Sequence, residues 1–302
     1  MEYPSHIQLA TNDMTNVYIV KDKGEAAVID PYWGSNPSKG LEAVTGAIKP
    51  NHLNSILITH GHNDHYGGCP ALTEKTNAET IAHIGDAWSI EEPTVFFWQY
   101  FGYDNPTRGR FEADLKELGG RGSRVHRTVR DGDVVEVGSR ELEVIHVPGH
   151  SYGSICLHDK GERILFTGDT PFPSVWLPSW LGLIIDAEGY SRSLDRLAKL
   201  SPKLVLPGHL DPIDGRDWGN EVGLHVAHWR RCEAKVLDVL DDDRYTSLRV
   251  VVDKMVRSLL ASASASDVTF RLTEWVTVHS LLRKLCFDGK VEQGRGLVWK
   301  LV

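Results

Sequence analysis

The feature that most constrains this chain is a dense block of ionisable side chains at residues 59–68, which reads Thr-His-Gly-His-Asn-Asp-His-Tyr-Gly-Gly. The block follows residues 55–59, a β-branched apolar run that is typical of a buried strand. A loop after a strand can turn several side chains toward one point, and imidazole and carboxylate groups bind Zn, Mn or Fe. The block therefore predicts a metal centre with four candidate ligands: His60, His62, Asp64 and His65.

Four further polar side chains follow other apolar runs. His150, Asp169 and His209 each come after a predicted strand, in a loop that contains glycine. Asp30 directly follows the apolar run 26–29. Functional side chains of open sheets gather at strand ends, so we expect all four to lie near the block.

The first two thirds of the chain alternate between strand-like and helix-like segments, which predicts the α/β class, with a mixed sheet covered by helices. Turns containing Gly24, Gly138 and Gly161 separate three pairs of apolar runs and predict hairpins. The predicted strands are 17–20, 26–29, 55–59, 134–137, 142–147, 154–157, 163–167 and 204–207. The predicted helices are 37–48, 67–75, 111–118 and 189–200.

The last third has a different organisation, with helices predicted at 225–240, 248–260 and 272–287 and a hairpin at 289–301. Residues 225–302 carry 13 Lys plus Arg and 10 Asp plus Glu, a net of +3, against −11 for the rest of the chain. The sequence therefore predicts a catalytic domain at 1–220 and a small helical domain at 221–302.

Composition excludes several classes of protein. Of 302 residues, 41% are apolar and 25% are charged, which is ordinary for a globular protein. The longest uncharged apolar run, 171–185, contains three prolines and cannot form a membrane-spanning helix. The four cysteines are widely spaced and the first residues show no secretory signal, so we expect a cytoplasmic protein without a disulfide scaffold. The net charge of −8 argues against general nucleic-acid binding.

The ligand block, the two Pro-Gly-His motifs that end in His150 and His209, and the Thr-Gly-Asp that ends in Asp169 resemble the metallo-β-lactamase superfamily in order and spacing. The resemblance covers residues 6–215 and implies a four-layer αββα sandwich. It implies that one metal is held by His60, His62 and His150. It implies that a second is held by Asp64, His65 and His209, with Asp169 bridging and Asp30 supporting the site from behind.

The resemblance also implies a mechanism. Two divalent ions, with Zn expected and Fe or Mn as alternatives, would share a water and lower its pKa toward neutrality. Asp64 and Asp169 are the residues to which we assign catalytic roles. The expected reaction is hydrolysis, and no G-x-S-x-G motif of a serine hydrolase is present.

The tail resembles the winged-helix tail of the β-lactamase-like-two group, which includes a mitochondrial single-strand endoribonuclease and fungal polyketide thioesterases. It carries His-x-x-x-Trp-Arg-Arg from residue 225 and Gly-Leu-Val-Trp-Lys-Leu at 296–301. Three alternatives to a hydrolase of apolar acyl substrates stay open: a single-strand endoribonuclease, a glyoxalase II-like thioesterase, and a binding protein with little turnover.

Two aromatic-rich loops favour an apolar acyl substrate, meaning a thioester, an ester or a lactone. Such a density of rings outside a regular strand is typical of an apolar pocket wall, although a core or a dimer interface would show it too. We expect a small-molecule substrate, no membrane contact, and a homodimer as an open alternative. The predicted pocket residues are Phe97, Trp98, Tyr103, Phe172, Trp176 and Trp180.

Overall fold

The computed structural model describes residues 3–11, 15–32, 37–94, 121–259 and 268–302. The chain divides into two compact units, each described below by itself. The first unit comprises Met1–Val147, Ser151–Phe172 and Ser201–Trp218, and the second comprises Pro148–His150, Pro173–Leu200 and Gly219–Val302. Within the described residues, none of the helices combines the length and the apolar character needed to span a bilayer.

The first unit contains two six-stranded sheets. The first sheet has the strand order β1-β2-β3-β4-β5-β6, in which β1, β2 and β3 pair antiparallel and β3 to β6 pair parallel. Its antiparallel β2–β3 pair is the hairpin predicted around Gly24, which adopts a φ of 85° that suits glycine. The strands are β1 Ile7–Thr11, β2 Val17–Asp22, β3 Glu25–Ile29, β4 Leu53–Ile58, β5 Glu79–His83 and β6 Arg127–Val129.

The second sheet has the order β12-β11-β10-β9-β8-β7. All of its neighbours pair antiparallel except β10 and β11, which pair parallel. Both hairpins predicted in this part of the chain, β7–β8 and β9–β10, are present. The strands are β7 Val134–Val137, β8 Arg140–His146, β9 Ile155–Asp159, β10 Ile164–Gly168, β11 Leu204–Pro207 and β12 Ile213–Asp214.

The two sheets pack face to face, and helices cover the other face of the first sheet. Strand β2 shows why, because side chains alternate between the two faces of a strand. Tyr18 and Val20 join the core between the sheets, whereas Val17 and Ile19 join a second core against the helices. These helices are α1 Pro37–Ala47, α2 Asn63–Tyr66, α3 Cys69–Lys75 and α4 Ala87–Glu91. The predicted α/β sandwich is confirmed.

The second unit is mainly helical and ends in a small sheet of order β13-β15-β14. From residue 218 onward the elements run helix, strand, helix, helix, strand, strand. The three predicted helices and the final hairpin are present, together with one short strand that the sequence did not predict, and the winged-helix-like assignment of the domain stays a prediction. Its core contains Trp299, which is fully buried with its ring 5.7 Å from that of His279. The elements are α5 Ala187–Leu197, α6 Trp218–Val239, β13 Thr246–Ser247, α7 Leu248–Leu259, α8 Val268–Phe287, β14 Val291–Gln293 and β15 Val298–Leu301.

Several boundaries differ from the sequence predictions. Helix α6 begins at Trp218 rather than at residue 225, and α8 begins at Val268 rather than at 272. The predicted helix 111–118 lies outside the described residues. The second unit begins its long segment at Gly219 but also includes residues 148–150 and 173–200, so a simple domain boundary between 220 and 221 stays a prediction. All four cysteines are free.

Candidate metal centre

The loop after β4 brings two of the predicted ligands together. The backbone of His62 is extended at φ −85° and ψ 141°, and α2 begins at the next residue. The Nε2 atom of His60 lies 3.0 Å from Nδ1 of His62. Ligand atoms of His60, His62 and His150 lie within 4.8 Å of one another, and all three residues are buried. We call this group the three-histidine half.

The remaining ligands form a second group, which we call the carboxylate half: Asp64, His65 and His209. The Oδ2 atom of Asp64 lies 3.6 Å from Nε2 of His65 and 3.6 Å from Nε2 of His209. Asp169 contacts the same rings, at 3.6 Å from His65 and 3.3 Å from His209. It also forms a close group with His60 and His65, so its carboxylate lies near members of both halves.

The spacing and chemistry of these donors fit divalent metal ions. Two ligand atoms at about 2.1 Å from a tetrahedral ion lie roughly 3.3–3.5 Å apart. The distances of 3.0–3.6 Å within the two halves are close to that value. The donors are imidazole nitrogens and carboxylate oxygens, which suit zinc, iron and manganese.

The electrostatics of the site also favour a cation. Burial alone would lower the pKa of His209, but Asp169 outweighs burial and raises that pKa to about 9. His65 behaves in the same way, with its pKa raised well above the usual value by Asp169, Asp64 and Asp30 against burial. Burial would raise the pKa of Asp169, yet the two rings hold it well below the usual range. The carboxylates therefore create a negative potential at buried ring nitrogens.

Asp30 lies behind the carboxylate half, as the sequence predicts. It is 2% exposed and its backbone has a φ of 52°, in the left-handed region that Asp tolerates better than most residues. Its Oδ2 lies 2.9 Å from Nδ1 of His65 and accepts a 2.7 Å hydrogen bond from Thr59 Oγ1. Its Oδ1 accepts a 2.8 Å hydrogen bond from the Thr59 amide. A carboxylate in this position fixes the tautomer and orientation of a ligating histidine.

The ring of His150 is oriented by a backbone carbonyl. Its Nδ1 lies 2.8 Å from the carbonyl oxygen of Leu183. Thr277 of α8 secures the backbone around that carbonyl, since its hydroxyl donates to Gly182 O at 2.6 Å and accepts from Ile184 N at 2.9 Å. Thr277 therefore supports the orientation of His150, which the sequence analysis did not predict.

His209 lies in a loop that Asn16 holds in place. The sequence analysis predicted His209 but gave no role to Asn16. The Asn16 amide group donates to the carbonyls of Pro207 at 3.0 Å and Leu210 at 2.6 Å. Tyr18 adds a 2.8 Å hydrogen bond to Pro207 O. Leu210 has a φ of 62°, which is strained for a leucine, so these contacts hold the loop in an unfavourable conformation. The sequence shows a lone Asn before a strand, which carries no signal for this role.

The predicted pocket residues are only partly described. Phe172 is 1% exposed and lies in the protein interior. Trp176 and Trp180 are partly exposed, with ring centroids 6.0 Å apart, and Trp180 Nε1 donates to Thr273 Oγ1 at 3.0 Å. Phe97, Trp98 and Tyr103 lie outside the described residues. The assignment of these six residues to a substrate pocket stays a prediction.

Comparison with known proteins identifies the class to which this fold and site belong. The family described as the metallo-beta-lactamase superfamily matches residues 10–209, a range that includes all seven predicted ligands. The chain therefore belongs to the metallo-β-lactamase superfamily, and its class is that of the metal-dependent hydrolases.

Individual relatives are more specific. The acyl-coenzyme A thioesterase MBLAC2 of Homo sapiens is 32% identical over 234 residues, which cover 67% of this chain and 75% of the relative. A hydroxyacylglutathione hydrolase of Polaromonas sp. strain JS666 is 32% identical over 191 residues, covering 62% of this chain and 58% of the relative.

Among solved structures, a metallo-beta-lactamase family protein from Thermus thermophilus matches with a TM-score of 0.74 at 20% identity over 99% of both chains. A beta-lactamase domain protein from Burkholderia ambifaria has the same TM-score and identity, and the match covers 100% of this chain and 93% of the other. These two likenesses confirm the fold.

Proposed function

We propose that this protein hydrolyses acyl thioesters by means of two divalent metal ions, with zinc as the expected metal. The observation that carries the proposal is the convergence of seven ionisable side chains into two adjoining ligand groups. The thioester preference is supported by the similarity to MBLAC2, which is named an acyl-coenzyme A thioesterase.

Each residue in the site has a distinct part in this proposal. Bound metal ions would supply an activated water and an electrostatic partner for the negative charge that develops on the acyl oxygen. Asp169 would fix the spacing between the two halves, because it contacts His65 and His209 and groups with His60. Asp64 would contribute negative charge to the carboxylate half and, being 29% exposed, is the ligand most accessible to solvent. Asp30 would hold the ring of His65.

Charge separates the acyl proposal from the endoribonuclease alternative. Residues 1–224 carry a net charge of −11, which disfavours a polyanionic backbone near the catalytic residues. The endoribonuclease alternative stays a prediction, as do the homodimer and the cytoplasmic location.

A side-by-side hydrolysis screen tests the proposal. Zinc-loaded protein is assayed against acyl-coenzyme A thioesters of increasing chain length, S-lactoylglutathione, a lactone and single-stranded RNA. We expect release of free thiol from the coenzyme A esters that disappears after chelation and returns with added zinc. Metal-dependent RNA cleavage without any acyl hydrolysis would overturn the proposal.

A second candidate is hydrolysis of hydroxyacylglutathione thioesters, which the relative from Polaromonas supports. The same screen separates the two. A kcat/KM for S-lactoylglutathione that exceeds that of every acyl-coenzyme A by tenfold or more would favour this candidate. Equal or lower values would favour the coenzyme A esters.

A further inference from the structure

Asp86 is a buried carboxylate to which neither the ligand set nor the sequence analysis gives a role. It lies three residues after β5 and is 2% exposed. It occupies the residue before helix α4, where an Asp side chain commonly accepts a hydrogen bond from the first turn of the helix. Here the side chain makes no such bond. Its two oxygens are directed instead to two loops that are distant in sequence.

One carboxylate oxygen joins the two loops directly. Oδ2 of Asp86 accepts a 2.7 Å hydrogen bond from the amide of Gly61, which lies between His60 and His62. The same oxygen accepts a 2.5 Å hydrogen bond from the hydroxyl of Ser151, the residue after His150. Oδ1 accepts a third hydrogen bond, of 2.7 Å, from the amide of Gly153. The donors therefore flank all three ligands of the three-histidine half.

The packing around Asp86 shows that this contact is tightly built. A Cβ atom on Gly153 would lie 2.6 Å from Cγ of Asp86, and one on Gly61 would lie 2.5 Å from Oγ of Ser89. The Asp86 carboxylate therefore leaves no room for a side chain at residue 153, and the Ser89 hydroxyl beside it leaves none at residue 61, so both positions require glycine. Oγ of Ser154 lies 2.7 Å from Oγ of Ser151 and accepts from the Ser151 amide at 3.0 Å, so the hydroxyl that reaches Asp86 is itself held in place.

We propose that Asp86 is a positioning residue for the three-histidine half, because its carboxylate ties the loop of His60 and His62 to the loop that follows His150. The proposal rests on the two-metal centre proposed above. Supporting residues of this kind affect metal affinity by about 10–100-fold. The hydrogen bonds of Asp86 go to Gly61, Ser151 and Gly153, in the loops that carry or follow the ligands of the three-histidine half, so its loss should affect that half selectively.

The test is a Co²⁺ titration followed by visible absorption, which gives the affinity and the spectrum of each of two metal equivalents. His62→Ala and Asp64→Asn provide reference spectra for loss of the three-histidine half and of the carboxylate half. Asp86→Asn keeps the shape of the side chain but presents an NH₂ group to at least one donor. We expect it to weaken the three-histidine equivalent about 10–100-fold and to leave the other within about threefold.

Two further variants keep the test sharp. Ser151→Ala removes one of the three donors, so a smaller loss at the same equivalent supports the proposal. Asp22→Asn is the control, because Asp22 also accepts hydrogen bonds from a backbone amide and a hydroxyl, both of Ser139. Asp22 is the last residue of β2 and pairs with Glu25, at the end of the β2–β3 hairpin that is remote from Asp30. The Asp22→Asn variant should leave both equivalents unchanged. Equal weakening of both equivalents by Asp86→Asn, or weakening of neither, would overturn the proposal.

A measurement without metal separates this inference from the proposed function. If the parent protein binds fewer than two equivalents, the two-metal proposal fails on its own. Hydrogen exchange of the metal-free protein then decides the role of Asp86. Faster exchange at the amides of Gly61 and Gly153 in Asp86→Asn supports a link between the loops, and unchanged exchange at both overturns it.

Discussion

The two halves of the candidate metal centre differ in the groups that surround their histidine rings. In the three-histidine half, the far ring nitrogens face neutral groups: His60 Nδ1 lies 3.1 Å from Thr59 Oγ1, and His150 Nδ1 lies 2.8 Å from Leu183 O. In the carboxylate half, His65 faces Asp30 on one side and Asp64 and Asp169 on the other. Neutral groups therefore lie beside two rings of the three-histidine half, whereas carboxylates lie on both sides of His65 in the carboxylate half.

This difference indicates how each half should respond to substitution. A neutral imidazole binds a dication weakly unless its nitrogen is directed to the right point, so positioning groups matter most in the three-histidine half. A carboxylate attracts the cation over a longer range, so removing charge matters most in the other half. Asp169 lies close to members of both and should affect both.

Removal of all metal should have the largest effect. We expect chelation followed by gel filtration to reduce turnover of the best acyl thioester to background, because none of the proposed steps proceeds without the activated water. Stepwise addition of zinc should restore activity only as the second equivalent binds. Full activity after the first equivalent would contradict a two-metal mechanism. Full activity of the metal-free protein would contradict metal-dependent hydrolysis at this site.

Asp169→Ala should have the next largest effect and tests whether the halves are linked. Loss of a carboxylate that contacts His65 and His209 and lies close to His60 should lower turnover by two or more orders of magnitude and weaken both metal equivalents. Metal content by elemental analysis and kcat by single-substrate kinetics provide the measurements. Circular dichroism controls for the fold. A loss of activity of less than about tenfold, roughly 1.4 kcal/mol of barrier, would show that the linking role is wrong.

The clustering of the candidate ligands can be predicted from the sequence, because metal-binding side chains belong to a few residue types and because these follow apolar runs. His60, His62 and His65 lie within six positions of one another after β4, so one strand and one loop place them together. The turn at Gly24 is equally accessible, because the residue type and the backbone φ agree. In such places the local pattern and the tertiary structure point to the same result.

The supporting contacts cannot be predicted from the sequence, because they connect side chains to distant backbone groups. Asp86 reaches Gly61 across 25 positions and Gly153 across 67, and Asn16 reaches Pro207 across 191. A backbone amide or carbonyl looks the same in every sequence, so such contacts leave no pattern of residue types.

The start of α6 differs from the sequence prediction for a related reason. Its first residues include Gly219 and Gly223, which are poor helix formers. The burial of Trp218 and Val222, at 2% and 1% exposure, outweighs that preference.

Asp64→Asn should act on the carboxylate half alone. The substitution keeps the size of the side chain and removes one negative charge beside His65 and His209. We expect a loss of affinity of about tenfold or more for one metal equivalent and little change at the other, as measured by Co²⁺ titration. His62→Ala is the counterpart in the other half and should weaken the opposite equivalent. If both variants weaken the same equivalent, the division of the ligands into these two halves is wrong.

Asp30→Asn should have the smallest effect. It tests whether the charge of a carboxylate that lies behind His65 contributes to metal affinity. The asparagine side chain has only one oxygen and cannot accept hydrogen bonds at both ends. In one orientation the Thr59 amide loses its acceptor. In the other orientation the Thr59 hydroxyl and His65 lose theirs. A buried donor without a partner costs about 1–3 kcal/mol, so the melting temperature of the metal-free protein should fall. At a temperature well below melting, we expect about tenfold weaker binding of the carboxylate-half equivalent and an unchanged three-histidine equivalent. Thr59→Val removes the hydroxyl, which also lies 3.1 Å from His60 Nδ1, and keeps both the amide and the contact between Asp30 and His65. It is therefore the control for the carboxylate-half equivalent only. If Thr59→Val weakens that equivalent as much as Asp30→Asn does, the carboxylate acts by packing the loop, and its charge on His65 is not what supports the metal.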